Sequence, residues 1–575
     1  MMGKIIKNRR FVLIALILTL FLGSFLRLYK IDKNPVSLFG DELDVGYQAL
    51  SILKTGRDYS GHLLPIDIQS LAEWRAPLYI YASTSTVAIF GISPYGVRLP
   101  AAIFGILGIL VTYFLVKELT RNKYMALIST VLLAILPWHI LYSRAGFEAT
   151  MLYTFFFAGI LFFLYGLKKN LWLIPSAILL GFTPWIYSTA KLFLPITVIA
   201  LALIWHKDIF KIKKKYLIIC SVVFLIITVP FAIDTVFGEG SARFDSISIF
   251  NRPTIIGEIG ANRVRDTEMG GISASSVLQK VFHNKIIVFG NIFINNYFES
   301  LSGDFLFVKG DPSPRQNSSA SGGFYIIESV LVLAGLYFLL TKQKEIQNNE
   351  KFTILFLLLA GPIPGDLTQD GGNHATRQFL LIFPLIVLAS LGMVCVYRIL
   401  KGKTKLVWAS AISVILIWSF FNYVHYFFVH YPWDSEKFWQ AGYQEAITLA
   451  VSESKKYNEV IISSADEPSL KYFLAWSEYP PSEFQKDGVS HTVSLPGFGS
   501  MIEEGKFLFP PVGNSVNLYD LGNVLPENTL YLAPFKELPS DLATNPARLP
   551  SNIQLIKIIY YPSGDPAFFL LTKKV

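Results

Sequence analysis

The 575-residue chain is 52% hydrophobic and only 16% charged, well under the roughly 25% of a soluble domain, so it cannot cover itself with polar surface and needs the bilayer as solvent. Its net charge of +9 does not point to nucleic acid, because Lys and Arg cluster in short segments between apolar runs, where positive charge orients a membrane protein. The two cysteines, Cys220 and Cys395, lie inside apolar runs and offer no disulfide framework.

The first apolar run, 11–28, follows Lys4, Lys7, Arg9 and Arg10. No small-residue cleavage site follows it, so it is read as an uncleaved first span. Further runs suited to crossing a membrane lie near 98–116, 124–142, 149–167, 171–189, 192–206, 216–235, 323–341, 352–365, 378–397 and 406–428. Another run, 77–92, is shorter and is flanked by Pro77, Gly91 and Pro94. If it does not cross, the cations of five loops share the side of the N-terminus: Lys117, Arg121, Lys123; Lys168, Lys169; Lys207, Lys211, Lys213, Lys214, Lys215; Lys342, Lys344, Lys351; and Arg398, Lys401, Lys403, Lys405. If it does cross, nearly all of them invert. The positive-inside rule therefore predicts a re-entrant or juxtamembrane 77–92. The expected fold class is a polytopic α-helical membrane protein of about eleven spans in the plasma (inner) membrane, with its N-terminus cytoplasmic.

Three regions on the outer side are too long to be connectors: a first loop at 29–97, a second at 236–322, and a tail at 429–575 following a transmembrane module at 1–428. The tail patterns as an extracytoplasmic α/β domain. A helix is expected over 435–452, with Phe438, Tyr443, Ala446 and Leu449 apolar, and strands at 459–463, 553–561 and 568–572. The chain has no nucleotide-binding glycine pattern, zinc-ligand spacing or internal repeat.

The spans carry almost no ionisable residue at mid-depth, and Glu328 and His425 lie towards outer ends. Ion-coupled transport needs buried charge partway across. Polar residues concentrate at the outer rim instead: Asp41, Glu42, Asp44, Glu73, Arg75, Arg98, His139, Arg144, Glu148, Lys191, His374 and Arg377. That distribution suits chemistry at the membrane–water interface on a substrate held partly in lipid.

The strongest local motif is Phe39-Gly40-Asp41-Glu42-Leu43-Asp44. Asp41 either caps the juxtamembrane helix that starts here or acts as a general base on an acceptor hydroxyl, and the two roles are compatible. Around Glu73-Trp74-Arg75-Ala76-Pro77, Arg75 either binds a lipid phosphate through two parallel hydrogen bonds or anchors the following helix among headgroups. Arg98 is a phosphate ligand or a rim anchor. Glu148, after Tyr142-Ser143-Arg144, contacts substrate beside Arg144 or simply favours the positive end of a helix. The segment from Gly371 to Arg377 is a glycine-rich turn with a snorkelling Arg, or it supplies His374 to the substrate and Arg377 to the donor phosphate.

The succession Gly40-Asp41-Glu42, Gly-Tyr-Gln-Ala at 46–49, Thr55-Gly56-Arg57-Asp58, Leu64-Pro65, Arg75-Ala76-Pro77-Leu78-Tyr79, Phe90-Gly91-Ile92-Ser93 and Val97-Arg98-Leu99-Pro100 resembles the bacterial protein-mannosyltransferase type of the GT-C glycosyltransferases. That group includes protein O-mannosyltransferases and lipid A aminoarabinose transferases. The similarity is good over about 30–190, thinner to about 400, and does not extend to the tail. It implies an inverting transfer from a polyprenyl-monophosphate sugar to an acceptor protein, lipid or glycan. Asp41 is then the base in the acidic pair with Glu42, Arg75 lies on the carrier phosphate, and Glu148 takes the place of a further acidic residue. The resemblance implies no cofactor and no metal requirement. Two departures stand out: Gly40 where an aromatic or Ala often precedes the Asp, and Arg-Ala-Pro in place of Lys-Pro-Pro or His-Pro-Pro, which shifts the register at Arg75. Alternatives are a flippase or transporter of lipid-linked sugars, a surface polysaccharide polymerase or ligase, and a membrane scaffold presenting the tail.

Overall fold

The computed structural model describes residues 9–71, 74–238, 246–271, 277–318, 321–341, 346–488 and 491–574. Glu73, Lys4, Lys7, Lys342 and Lys344 of the sequence reading lie outside the described residues.

The membrane part is helical: α1 (Arg9–Leu28), α2 (Gly40–Thr55), α3 (Leu78–Phe90), α4 (Pro94–Thr120), α5 (Lys123–Ile135), α6 (Ala149–Lys168), α7 (Leu173–Gly181), α8 (Ala190–Ile204), α9 (Lys214–Phe237), α10 (Ile255–Glu268), α11 (Lys285–Ser300), α12 (Ile326–Thr341), α13 (Asn348–Ala360), α14 (Ile382–Ile399) and α15 (Lys403–His425). A helix thus lies at each of the eleven expected spans. Among the described residues, six are long and apolar enough to cross a membrane as one helix. Others are short because the chain breaks them. Leu136 turns extended before Pro137, and a short helix then runs on to Tyr142. Segment α3 has 13 residues, about 20 Å of helix against a hydrocarbon core of about 30 Å, and it packs on α2 and α4.

Local chemistry sets the boundaries. Ser93 caps α4, accepting from the Gly96 amide at 3.2 Å, with Pro94 at the first position. Asn122 caps α5 through the Tyr124 and Met125 amides. The tightest crossing joins α12 to α14: a Cβ on Gly335 would overlap the Leu388 carbonyl, and one on Gly392 the Leu331 carbonyl. Only glycine lets these backbones touch, the small-residue packing that lipid-embedded helices use. Helices α9 and α15 keep mostly exposed apolar surface, as lipid-facing elements must.

Residues 435–442 form turns, where a helix was expected from 435. Gln440 and Gly442 take left-handed backbone conformations that no helix tolerates, and α16 starts only at Tyr443, running to Glu453. The expected strands appear as β3 (Glu459–Ile462), β8 (Ile553–Tyr560) and β9 (Pro566–Lys573), in a seven-stranded sheet of order β4-β5-β6-β3-β7-β9-β8. Sequence reading missed β4 (Thr492–Leu495), β5 (Gly499–Glu504), β6 (Phe507–Phe509), β7 (Thr529–Pro534) and the helix α17 (Ser469–Trp476). Strand β3 runs parallel to β6 and β7, and the other pairs are antiparallel. A small antiparallel pair, β1 (Ile68–Gln69) and β2 (Trp74–Arg75), sits in the first loop and places Ile68 opposite Arg75.

The tail does not stand apart from the first loop. Leu43 and Tyr47 of α2 share one apolar core with Trp439, Tyr443, Tyr472 and Phe484. Tyr47 donates to the Tyr479 carbonyl at 3.0 Å, and the Gly40 amide donates to Gln440 Oε1 at 2.8 Å.

Candidate active site

The start of α2 carries three acidic residues, Asp41, Glu42 and Asp44, whose fates differ completely. Phe39 is the N-cap residue, so Asp41 lies inside the helix and does not cap it. The capping duty falls to Glu42, which accepts from the Phe39 amide at 3.4 Å. Glu42 is wholly buried, accepts from the Gly146 amide at 2.7 Å, and is forked by Arg98 at 2.7 and 2.9 Å. Arg98 spends its remaining donors on the carbonyls of Ile31, Pro35 and Ser37. All five of its N–H bonds therefore meet protein oxygens, and its guanidinium packs 5.7 Å from the Trp439 ring. Glu42, placed by sequence in the catalytic pair, and Arg98, read as phosphate ligand or rim anchor, are thus turned inward on each other. The pair instead clamps the loop between α1 and α2.

Arg144, expected beside the substrate, is also turned inward. It is fully buried and donates to the carbonyls of Leu26, Lys30 and Asn34. Leu26 belongs to the last turn of α1, and Lys30 and Asn34 to the segment after it, so Arg144 ties the end of that helix to the following loop. His139 is buried and meets Arg27 at 2.8 Å.

Asp41 and Asp44 are three residues apart and share a helix face. Both point to Arg75, whose Nη2 lies 2.8 Å from Asp41 Oδ1 and whose Nε lies 3.0 Å from Asp44 Oδ2. Glu148 Oε1, at the N-terminal end of α6, approaches Arg75 Nη1 at 3.9 Å. Three carboxylates from two parts of the chain thus surround one guanidinium. Arg75 is 5% exposed, Asp44 is buried, and Asp41 remains 47% exposed. Of the three, Asp41 is the one open to an incoming molecule. The hydroxyls of Tyr59 and Ser70 both donate to Asp44 Oδ1 at 3.1 Å. Burial pushes the Asp44 carboxyl above its usual range, with Arg75 pulling the other way. Burial and then the nearby Asp44 hold Tyr59 well above the usual phenol, so it keeps its proton and stays a donor.

Arg377 and His374 lie in the turn after α13. Arg377 pairs with Asp370 and donates to Thr368 Oγ1 at 2.6 Å. The Ala375 amide of the same turn is held by Asp311 Oδ2 at 2.8 Å, and burial raises Asp311 to about 6. Arg377 is therefore engaged within its own turn.

Two neighbouring apolar cavities lie beside α8 and α9. Of about 460 and about 350 Å³, they share Val198 of α8 and Phe224 of α9. The first ends at Lys191, Thr235 and Val236, and the second at Ile209, Ile212 and Leu217. Lys191 Nζ stands 3.8 Å from Asp67 Oδ2 and 4.5 Å from the Phe231 ring. Asp67 directly precedes the β1 residue that faces Arg75, so this end of the first cavity is tied to the carboxylate cluster. Sequence reading gave no role to Tyr59, Ser70, Lys471 or Arg315. Asp44 was legible by its spacing from Asp41, whereas Lys471 and Arg315 come from distant segments that carry no motif.

A family model for dolichyl-phosphate-mannose-protein mannosyltransferases matches residues 74–233. The crystal structure of ArnT from Cupriavidus metallidurans bound to undecaprenyl phosphate superposes at a TM-score of 0.52 with 11% identity, covering 98% of each chain. The chain has the GT-C glycosyltransferase fold. The same GT-C architecture relates it to the oligosaccharyltransferase AglB from Archaeoglobus fulgidus, in complex with an inhibitory peptide and a dolichol-phosphate. That match has a TM-score of 0.51 and 14% identity, over 97% of this chain and 74% of that one. No curated protein matches the chain in sequence. At such identities the likeness is one of fold.

Proposed function

We propose that the protein transfers a sugar from a polyprenyl-monophosphate carrier to an acceptor hydroxyl at the outer face of the membrane, with inversion, and that Asp41 is the general base. The observation that carries this reading is the asymmetry of the acidic cluster. Asp41 alone of the three carboxylates is half-exposed, yet it is oriented by a buried guanidinium at 2.8 Å. A carboxylate ionised at pH 7 and fixed in direction can take the acceptor's proton as the new bond forms. The α8–α9 cavities support the carrier half of the reading. They are apolar and end at an ammonium, Lys191, so a polyprenyl tail can lie there without leaving the bilayer.

In this reading Arg75 keeps the carboxylates in place, its Nη2 facing Asp41 and its Nε facing Asp44. The N-terminus lies in the cytoplasm of an inner-membrane protein, and the tail and both long loops lie outside. Solved structures of two proteins of the same fold hold undecaprenyl phosphate or dolichol-phosphate, which supports a lipid-phosphate donor. The test is incubation of purified protein with a panel of polyprenyl-phosphate sugars and candidate acceptors. Transfer that disappears in Asp41→Asn supports the assignment. Full turnover in that variant removes Asp41 as base, and no transfer from any lipid-phosphate sugar removes the reading itself.

A further inference from the structure

Gly40, where the related sequences often have an aromatic or Ala, is explained by the tail. A Cβ on Gly40 would overlap Nζ and Cε of Lys471 and lie 3.0 Å from the Tyr472 hydroxyl. Glycine is thus what admits a lysine from α17 to the start of α2, directly beside Asp41. Lys471 is steadied by Glu467 at 3.2 Å and lies 5.4 Å from the Tyr472 ring centre. Tyr472 is entirely buried, its ring stacked on Tyr443 at 4.1 Å, and its hydroxyl has no hydrogen-bond partner among the described residues. A second cation stands close by: Arg315, 4.4 Å from the Phe39 ring, acts electrostatically on Tyr472 together with Asp41.

The first turn of α2 already carries the anions its positive end favours, Asp41 and Glu42, and the Lys471 ammonium stands at that end beside Asp41. The buried Tyr472 hydroxyl next to it has no hydrogen-bond partner among the described residues, which costs free energy. An anion with oxygen acceptors bound there pairs the ammonium and gives the hydroxyl an acceptor.

We propose that Lys471, with the Tyr472 hydroxyl, binds the phosphate of the lipid-linked donor, so that the tail supplies a catalytic group. The inference rests on the transferase reading above. In the transfer, the acceptor oxygen bonds to the anomeric carbon and the bond from that carbon to the phosphate oxygen breaks. The electron pair stays on the phosphate, which leaves as polyprenyl monophosphate with one more negative charge. The hydroxyl proton goes to Asp41. Lys471 stands where it offsets the charge that grows on the phosphate, beside the base.

The test measures binding of a polyprenyl monophosphate and of the uncharged polyprenol to the full chain in nanodiscs. Lys471→Gln is expected to weaken phosphate binding at least tenfold and leave polyprenol binding unchanged, with Lys471→Arg retaining most of the affinity. Gly40→Ala, which displaces the ammonium, is expected to reproduce the loss, and to add nothing in the Lys471→Gln background. Tyr472→Phe should lower phosphate affinity without changing polyprenol binding. Unchanged phosphate binding in Lys471→Gln, with a wild type that prefers the phosphate, overturns this inference and leaves the transferase reading standing. A wild type with no preference for the phosphate over polyprenol overturns both. Additive losses in Gly40→Ala/Lys471→Gln separate the glycine from the lysine and sink the link between them.

Discussion

Arg75→Ala is the perturbation that bears most directly on how the acidic cluster works. The Arg75–Asp44 pair is 3.0 Å long with both side chains at most 5% exposed. At an effective dielectric of about 20, such a pair is worth roughly 5–6 kcal/mol of Coulomb attraction, and much of that offsets desolvation. Removing one partner of a buried pair typically costs about 3–5 kcal/mol, because the other charge is left uncompensated. The Arg75–Asp41 contact adds little, since Asp41 is 47% exposed and screened. The stranded Asp44 has an escape: its carboxyl is already raised by burial, and without Arg75 it rises further and takes up a proton. The sign follows. A carboxyl with a raised folded-state pKa gives stability that is present at low pH and lost as pH climbs through that pKa. Arg75→Ala should therefore be only mildly destabilised near pH 5 and progressively worse towards pH 8. Thermal unfolding of the purified variant across that range is the assay, with Arg75→Lys as a control that restores the charge but not the two-pronged geometry. An unaltered unfolding curve at every pH, together with a raised KM for donor alone, would refute the reasoning and return Arg75 to the role of phosphate ligand.

Asp41→Asn should lower turnover by about 10²–10⁴-fold, the usual worth of a general base, while carrier binding and the unfolding temperature change little. Glu42→Gln and Arg98→Ala should do the opposite, lowering the yield of folded protein by breaking a buried, fully bonded pair, and any active fraction should keep a normal KM. Asp67 is raised to about 8 by burial and by the adjacent Asp234 carboxyl. Its protonated form therefore supports the fold up to neutral pH, and that support fades as pH rises through about 8. Asp67→Asn should flatten the fall in unfolding temperature between pH 7 and pH 9, and a variant that still parallels the wild type would show that Asp67 does not set it.

The sequence by itself determined the membrane class, the places of the helices, and the acidic motif that opens α2. These follow from local quantities: apolar run length, loop cations, and the spacing of two carboxylates on one helix turn. It also singled out 77–92 through the loop cations, and a 13-residue helix, α3, lies there. Tertiary structure alone decided which charges are available. Arg75, Arg98 and Arg144 look alike in sequence as rim arginines. Yet one lies among three carboxylates, one forks Glu42, and one ties the end of α1 to the following loop by binding carbonyls. No periodicity encodes that, because each partner lies tens of residues away. The tail gave the same lesson more strongly. Its strands were only partly legible, and its docking on α2 was not legible at all, since Gly40 and Lys471 are 431 positions apart. A glycine read in sequence as a departure from a motif becomes, in three dimensions, the space that a lysine needs.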